Sequence, residues 1–229
     1  MTIKLYDLCG ADRAFRFSPA CWRTKMALAH KQLECETVPT LFTEIGTIEG
    51  GGQTTLPVLV DEDSVVRESF EIAVYLEKAY PDAPSLFRGE GGIRTAQFMH
   101  WWTNATVDAQ IARFTLLDIY DGLNEADKAY FRQSREKRFG KQLHEVVDRT
   151  EDAIQRFRDS LLPLRLTVRK QDFIGGDSPI YADYCVFGSF QWGRMVSDFA
   201  FLEADDPVAQ WFERCLDLYD GLGRKAKFT

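Results

Sequence analysis

The sequence predicts an α/β domain followed by an all-helical domain, and three observations carry that prediction. Strand and helix patterns alternate over residues 1–80; Pro, Gly, Asp and Ser crowd residues 81–92; and from residue 93 onward strand signals give way to long stretches with apolar residues at helical spacing. The expected organisation is therefore a first domain over 1–80, a linker over 81–92 and a helical domain over 93–229.

Each element follows from local pattern. Ile3 to Tyr6 reads as a strand. Ser18 is a favoured N-cap and Pro19 a favoured first helical residue, so a helix is expected from Pro19 to about Lys31. Glu34 to Pro39 reads as a strand, and Thr40 to Gly52 as a short or irregular helix running into a Gly-rich loop. Leu56–Val60 and Ser64–Arg67 form a hairpin across Asp61-Glu62-Asp63. From Ser69 to Tyr80, Ile72, Tyr75, Leu76 and Ala79 keep the rhythm of one buried helical face. This βαβ–ββα order needs a crossover between two parallel strands and then an antiparallel pair, which gives a small mixed sheet with helices on its faces. Beyond the linker, Ile93 to Tyr120 reads as a long helix. Asn124 caps a second that runs to about Arg158; further helices cover Tyr181–Val196 and Pro207–Tyr219.

Bulk properties narrow the function. The 229 residues carry a net charge of −7 with no basic cluster, which argues against nucleic acid or an anionic membrane as partner. No apolar run approaches the roughly 18 residues of a membrane span, and the N-terminus lacks the layout of a secretory signal, so a cytoplasmic protein is expected. Five scattered cysteines fit reduced thiols better than a disulfide framework. No metal is expected: His30, His100 and His144 form no ligand pattern and no Cys-x-x-Cys exists. Gly50-Gly51-Gly52 is not followed by Gly-Lys-Ser/Thr and is no phosphate loop. The charged run from Asp127 to Arg138 has mixed signs at i, i+4 spacing and is expected to be a solvated helix face.

Three short segments could carry chemistry. In a Cys-Pro-x-Cys redox motif the first Cys occupies the N-cap, where free N–H groups and the helix dipole stabilise a thiolate. Here Ser18 stands in that place and Cys21 keeps the second. A thioredoxin-like domain with this exchange lacks its own nucleophile and is suited to stabilising the thiolate of a bound thiol; the plainer alternative is an ordinary helix cap. At Leu56-Pro57, a cis bond would turn the Leu56 N–H and C=O outward to pair with an extended peptide, whereas a trans bond would make Pro57 an edge-strand residue. At Glu68-Ser69, the Ser69 hydroxyl and N–H could take a carboxylate and Glu68 an ammonium; a helix cap with a favourable acid is the alternative.

Ser18 at the first helix, Leu56-Pro57 before a strand, and Glu68-Ser69-Phe70-Glu71-Ile72-Ala73-Val74-Tyr75-Leu76 followed by Tyr80-Pro81 resemble the glutathione transferases, over essentially the whole chain. Within that family the chain resembles the bacterial β-etherases of lignin breakdown and the fungal etherase-like, FuA-type transferases. That finer likeness rests on Trp22-Arg23-x-Lys25-x-Ala27-Leu28, on Phe131-Arg132-x-x-Arg135-Glu136-x-Arg138-Phe139-Gly140-Lys141, and on Asp217-Leu218-Tyr219-Asp220-Gly221-Leu222-Gly223-Arg224. The sequence departs from the family pattern at Ile180, where a hydroxyl cap usually precedes the acid at Asp183, and at Leu56, where Val is commoner.

The resemblance implies glutathione as co-substrate. Ser18 would bond its sulfur, Leu56 and Pro57 its cysteinyl backbone, Glu68 and Ser69 its γ-glutamyl end, and Gln53 its glycyl carboxylate. A free thiol near pKa ~8.5 is only about 3% thiolate at pH 7, and lowering it by ~2 units, worth ~2.7 kcal/mol, makes thiolate the major form. The thiolate would attack an apolar aromatic electrophile; for an etherase the attacked carbon lies beside a ketone and a phenolate leaves. Phe15, Phe17, Phe98, Trp101 and Trp102 are the candidate walls for that substrate, with core packing as their alternative role. A glutathione-dependent carrier of phenolic molecules with little turnover is the second reading, and a reductase using Cys9 or Cys21 a third. The resemblance also implies a homodimer.

Overall fold

A computed structural model describes residues 3–226. The outer ends of the expected domains, residues 1–2 and 227–229, lie outside the described residues. The N-terminal domain is a four-stranded mixed sheet in the order β2-β1-β3-β4. Strand β1 (Ile3–Leu8) pairs in parallel with β2 (Cys35–Thr40) through the crossover helix α1 (Pro19–His30). On its other side it pairs antiparallel with β3 (Val58–Asp61), which turns back into β4 (Ser64–Arg67). Tight helical turns over Phe42–Gly50 link β2 to β3, and α2 (Ser69–Ala79) closes the domain. Strand β3 begins two residues later than the sequence suggests, because Pro57 has no N–H to give a ladder. Leu5, Leu59, Met26, Ile72 and Leu76 make the core between sheet and helices.

The next helix, α3 (Glu90–Trp102), starts inside the stretch read as linker. It runs without interruption through one wide turn of i→i+5 type, Thr103–Asp108, into α4 (Ala109–Asp121). The single helix expected from Asn124 to Arg158 is instead broken into three. Helix α5 (Glu125–Phe139) is capped by the Asn124 side chain, which accepts from the Asp127 N–H at 3.0 Å, and ends where Gly140 takes φ 67°. The short α6 (Leu143–Val146) follows, and α7 (Glu151–Ser160) starts afresh on the Thr150 hydroxyl. Helix α8 (Leu162–Val168), with Pro163 in its first turn, was not foreseen. Helix α10 (Pro207–Gly221) loses helical geometry at Leu218, and Tyr219 and Asp220 adopt φ 54° and 57°.

Helix α9 (Tyr181–Val196) is the spine of the molecule, with fourteen of its sixteen residues buried. It packs against α1 so closely that a Cβ on Gly188 would lie 2.5 Å from the Pro19 carbonyl oxygen and 2.8 Å from Arg23 Cγ. Its first turn is fixed by Asp183, fully buried. Ile180 supplies no hydroxyl, yet the carboxylate is saturated: it accepts from the N–H groups of Ile174 (2.7 Å), Gly175 (3.1 Å) and Ile180 (3.0 Å) and from the Trp211 indole N–H (3.0 Å). Burial pushes the Asp183 carboxyl upward and these donors pull it back.

Removing that acceptor strands four donors, the buried Trp211 indole among them. Asp183→Ala should therefore cost about 3–5 kcal/mol in urea unfolding, a fall in Tm of roughly 10 °C for a chain of this size. A loss under 1 kcal/mol would show that the donors find other partners.

Candidate functional site

Strand register gathers the expected glutathione contacts at one end of the sheet. Tyr6 opposes Val58 across β1 and β3, and Val58 opposes Arg67 across β3 and β4. The end of β1, the segment before β3 and the residues after β4 therefore lie side by side. Leu56–Pro57 is cis, and among the described residues neither the N–H nor the C=O of Leu56 has a protein partner. Thr55 Oγ1 donates to Glu68 Oε1 at 3.0 Å, tying the two segments together. Glu68 is exposed with φ 64°, and its carbonyl takes the first helical bond from Ile72 N–H at 2.9 Å; Ser69, next to it, is buried. Gln53 is buried too, and its Oε1 has no partner.

The chain leaves β1, loops through Phe15 and Phe17, and starts α1 at Ser18. The Ser18 hydroxyl accepts from the Cys21 N–H at 3.3 Å, as an N-cap does, while Pro19 takes the first helical position. Ser18 lines a cleft of about 470 Å³ between the two domains. Opposite it stand Asn104, Asp108, Ala112 and Leu116, all from the wide turn and α4.

Of the five aromatic residues expected to wall a substrate, only Phe17 lines this cleft. Phe15 is buried beneath it, its ring 5.1 Å from that of Phe17. Phe98 and Trp101 are 66% and 63% exposed on the outer side of α3, and Trp102 packs half-buried on the main core. The aromatic walls are instead Phe42, Phe131, Phe139 and Trp192. The charged run is likewise not a solvated face throughout. Asp127 is fully buried, accepting from the N–H groups of Phe42 (3.0 Å) and Thr43 (2.9 Å), while Arg135 and Arg138 turn to the cleft. Phe131, Arg135 and Phe139 recur at i, i+4 and i+8, one helical face; that spacing was readable in the sequence, but not which partner it met.

Arg23 forms the seam beneath the cleft. It is fully buried, and its Nε donates to the Cys185 carbonyl (3.1 Å), Nη1 to Asn104 Oδ1 (2.7 Å), and Nη2 to Asp108 Oδ2 (2.8 Å) and Ser189 Oγ (3.3 Å). Asp108 Oδ1 remains without a partner. His100, which shares Asn104 at 3.0 Å, is held neutral: burial and the Arg23 charge lower it to about 4.

The thiols are placed for packing. Burial pushes Cys21 well up, and it pushes Cys9 up to about 11 and Cys185 to about 12. Among the described residues no group of His, Cys, Asp and Glu is arranged to hold a metal ion, and no helix is long and apolar enough to cross a membrane.

Two family models match the chain: the glutathione S-transferase N-terminal domain over residues 17–79 and the C-terminal domain over residues 95–218. The chain belongs to the glutathione S-transferase family. Over 166 residues the chain is 27% identical to the glutathione S-transferase-like protein ustS of Aspergillus flavus, an alignment covering 64% of this chain and 59% of that protein. Among solved structures it is similar to the glutathione transferase GSTFuA3 of Phanerochaete chrysosporium, with a TM-score of 0.82, 24% identity, and 100% and 98% of the two chains covered. A Ceriporiopsis subvermispora glutathione S-transferase in complex with glutathione aligns with a TM-score of 0.81 and 25% identity over 96% of this chain and 97% of that one. The β-etherase LigF of Sphingobium sp. strain SYK-6 shares the fold at a TM-score of 0.66, with 18% identity over 95% and 96%.

At pH 8 a thiol with a pKa of about 11 is roughly 0.1% thiolate, so Cys9 and Cys21 should resist iodoacetamide in the native protein and react after unfolding. Mass spectrometry of the labelled peptides checks this. Fast native labelling of Cys9 would return it to contention as a nucleophile.

Proposed function

We propose that the protein transfers the sulfur of glutathione to an aromatic electrophile, with aryl ethers carrying a ketone beside the ether carbon as the preferred class. The observation that carries this reading is the Ser18 hydroxyl, at the positive end of α1, opening into an aromatic-lined cleft between the domains. In this reading Leu56 pairs with the cysteinyl backbone of glutathione, Pro57 holds that edge open, Glu68 and Ser69 take the γ-glutamyl head, and the orphaned Gln53 side chain meets the glycyl end. The Ser18 hydroxyl donates to the sulfur and stabilises the thiolate without becoming a nucleophile. The thiolate then attacks the carbon beside the ketone. A C–S bond forms, the C–O bond breaks, and the phenolate takes the electron pair and later a proton from water. Phe17, Phe42, Phe131 and Trp192 would clasp the rings of such a substrate. We place this chemistry in the cytoplasm, a reducing compartment in keeping with five free cysteines.

We also propose that two copies associate through α3 and β4. Phe98 and Trp101 lie three residues apart on one helical face and are largely exposed, and Val65 on edge strand β4 is 44% exposed. Burial of these side chains against a second copy would remove exposed apolar surface that packing within one chain does not cover.

Ser18→Ala should raise the pKa of bound glutathione by about 2 units, read from thiolate absorbance near 240 nm, and lower kcat about 10²-fold. An unchanged pKa would remove Ser18 from the role. Tight phenol binding by the glutathione-loaded protein, with no turnover of a β-aryl ether ketone, would leave a carrier instead. For the dimer, wild type should sediment at twice 26.3 kDa, and a Phe98→Glu/Trp101→Glu variant at the single mass. A monomeric wild type would refute the association.

A further inference from the structure

The cleft is lined by more positive charge than its own carboxylates neutralise. Arg113 from α4 and Arg135 and Arg138 from α5 all line it, and among the described residues none of the three has a carboxylate within ion-pair distance. The one carboxylate in the lining, Asp108, is already engaged by Arg23 at 2.8 Å. The nearby acids are occupied elsewhere. Asp148, whose carboxyl feels the Arg113 charge, accepts from the Thr150 hydroxyl at 2.7 Å and its N–H at 3.2 Å, and Glu136 accepts from the Leu143 N–H at 3.3 Å.

Arg135 is the most telling of the three. It is half-buried, its guanidinium 4.7 Å from the Phe131 ring centre and 5.8 Å from that of Phe42. Those rings hold the guanidinium in place without using its N–H donors, which stay available to another group. Of five donors, one is used, from Nη1 to Ser134 Oγ at 3.1 Å. Arg138, one turn further along the same face, adds a second positive charge, and both burial and that charge pull the Arg135 guanidinium below its ordinary value. A half-buried cation beside another cation, with no acid, is costly unless an anion arrives. It stands in a chain whose net charge is −7, so the positive cleft is a local inversion of the molecule's overall field.

We infer that the aromatic electrophile carries an anionic substituent, a carboxylate or sulfonate on the ring, which Arg135 and Arg138 bind with Arg113 across the cleft while the reacting carbon meets the thiolate at Ser18. This rests on the transferase reading and adds a charge requirement to it. The rings would stack on the same aromatic side chains that hold the guanidinium, so one wall serves both the apolar and the charged part of the ligand.

A matched pair of electrophiles tests this: 4-chloro-3-nitrobenzoate and its methyl ester, assayed with saturating glutathione on the full chain. The substituents activate the ring unequally, so the readout is the carboxylate-to-ester ratio of kcat/KM in each variant relative to wild type. Arg135→Gln/Arg138→Gln should lower that ratio at least tenfold, Arg135→Lys should lower it less, and raised salt should erode it in wild type. Equal losses on both electrophiles would overturn the inference. So would a rise in the KM for glutathione matching the loss on the carboxylate, since the arginines would then be holding glutathione's own carboxylate. Circular dichroism and unfolding midpoints of the variants separate misfolding from lost recognition, with Arg138→Gln alone, at an exposed position, as the variant to use if the double one is unstable. If wild type turns over neither compound, the transferase reading fails on these electrophiles. The pair then serves as ligands in calorimetry of the glutathione-loaded protein: tighter binding of the carboxylate, abolished in the variants, supports the anion site, and equal affinity for carboxylate and ester overturns it.

Discussion

The buried guanidinium of Arg23 is the contact on which the rest of the molecule turns. It belongs to the first helix of the sheet domain, yet its acceptors come from the helical domain: Cys185 and Ser189 on α9, Asn104 and Asp108 on the wide turn. A cation this deep is tolerable only with its partners in place, and losing one of them typically costs about 3–5 kcal/mol. The two domains also share one apolar core, in which the rings of Trp22 and Phe187 meet at 6.4 Å, and the guanidinium adds directional contacts to that packing. With Arg23 satisfied, the first turn of α1, and so the Ser18 hydroxyl, is fixed relative to the aromatic wall of the cleft. The geometry a thiolate would need is thus set by a side chain five residues away that does not itself line the cleft.

The wide turn at Thr103–Asp108 belongs to the same arrangement. Asn104 and Asp108 stand four residues apart within it, on one side of the helix, so both reach the same guanidinium. Asp108 then divides its two oxygens. One neutralises Arg23, and the other stays unpartnered near the cleft. A fully satisfied buried carboxylate would be purely structural, as Asp183 is; a half-satisfied one leaves an acceptor for a ligand or an ordered water.

How far the sequence foretold this depended on how local each signal was. The cap at Ser18, the hairpin at Ser64–Arg67 and the span Tyr181–Val196 were legible, because caps, turns and helical periodicity act over a few residues. The break at Gly140 was missed because one glycine was outweighed by charge spacing that continues on both sides of it, although its left-handed φ of 67° is what ends the helix. Which face a helix buries was the larger failure. Phe98 and Trp101 look like pocket walls by type, yet they point outward, while Phe42, from the irregular turns, and Phe131, from a charged run, form the wall. Both faces of α3 carry aromatic residues, so hydrophobic pattern alone gives no direction; tertiary packing decides. Asp183 makes a similar point: the missing hydroxyl at Ile180 reads as a vacancy, and only the fold brings Trp211, twenty-eight residues on, to fill it.

The crossing of α1 and α9 at Gly188 bears on the protein's ancestry. With a Cβ there 2.5 Å from the Pro19 carbonyl, no side chain is accommodated without moving the turn that carries Ser18. A lineage cannot pass through alanine at 188 and keep the same cap, and because the oxygen in the way belongs to the backbone, no exchange of side chain at 19 makes room for it. Descendants that keep this crossing should therefore keep glycine at 188, even though the cap it protects lies in the other domain.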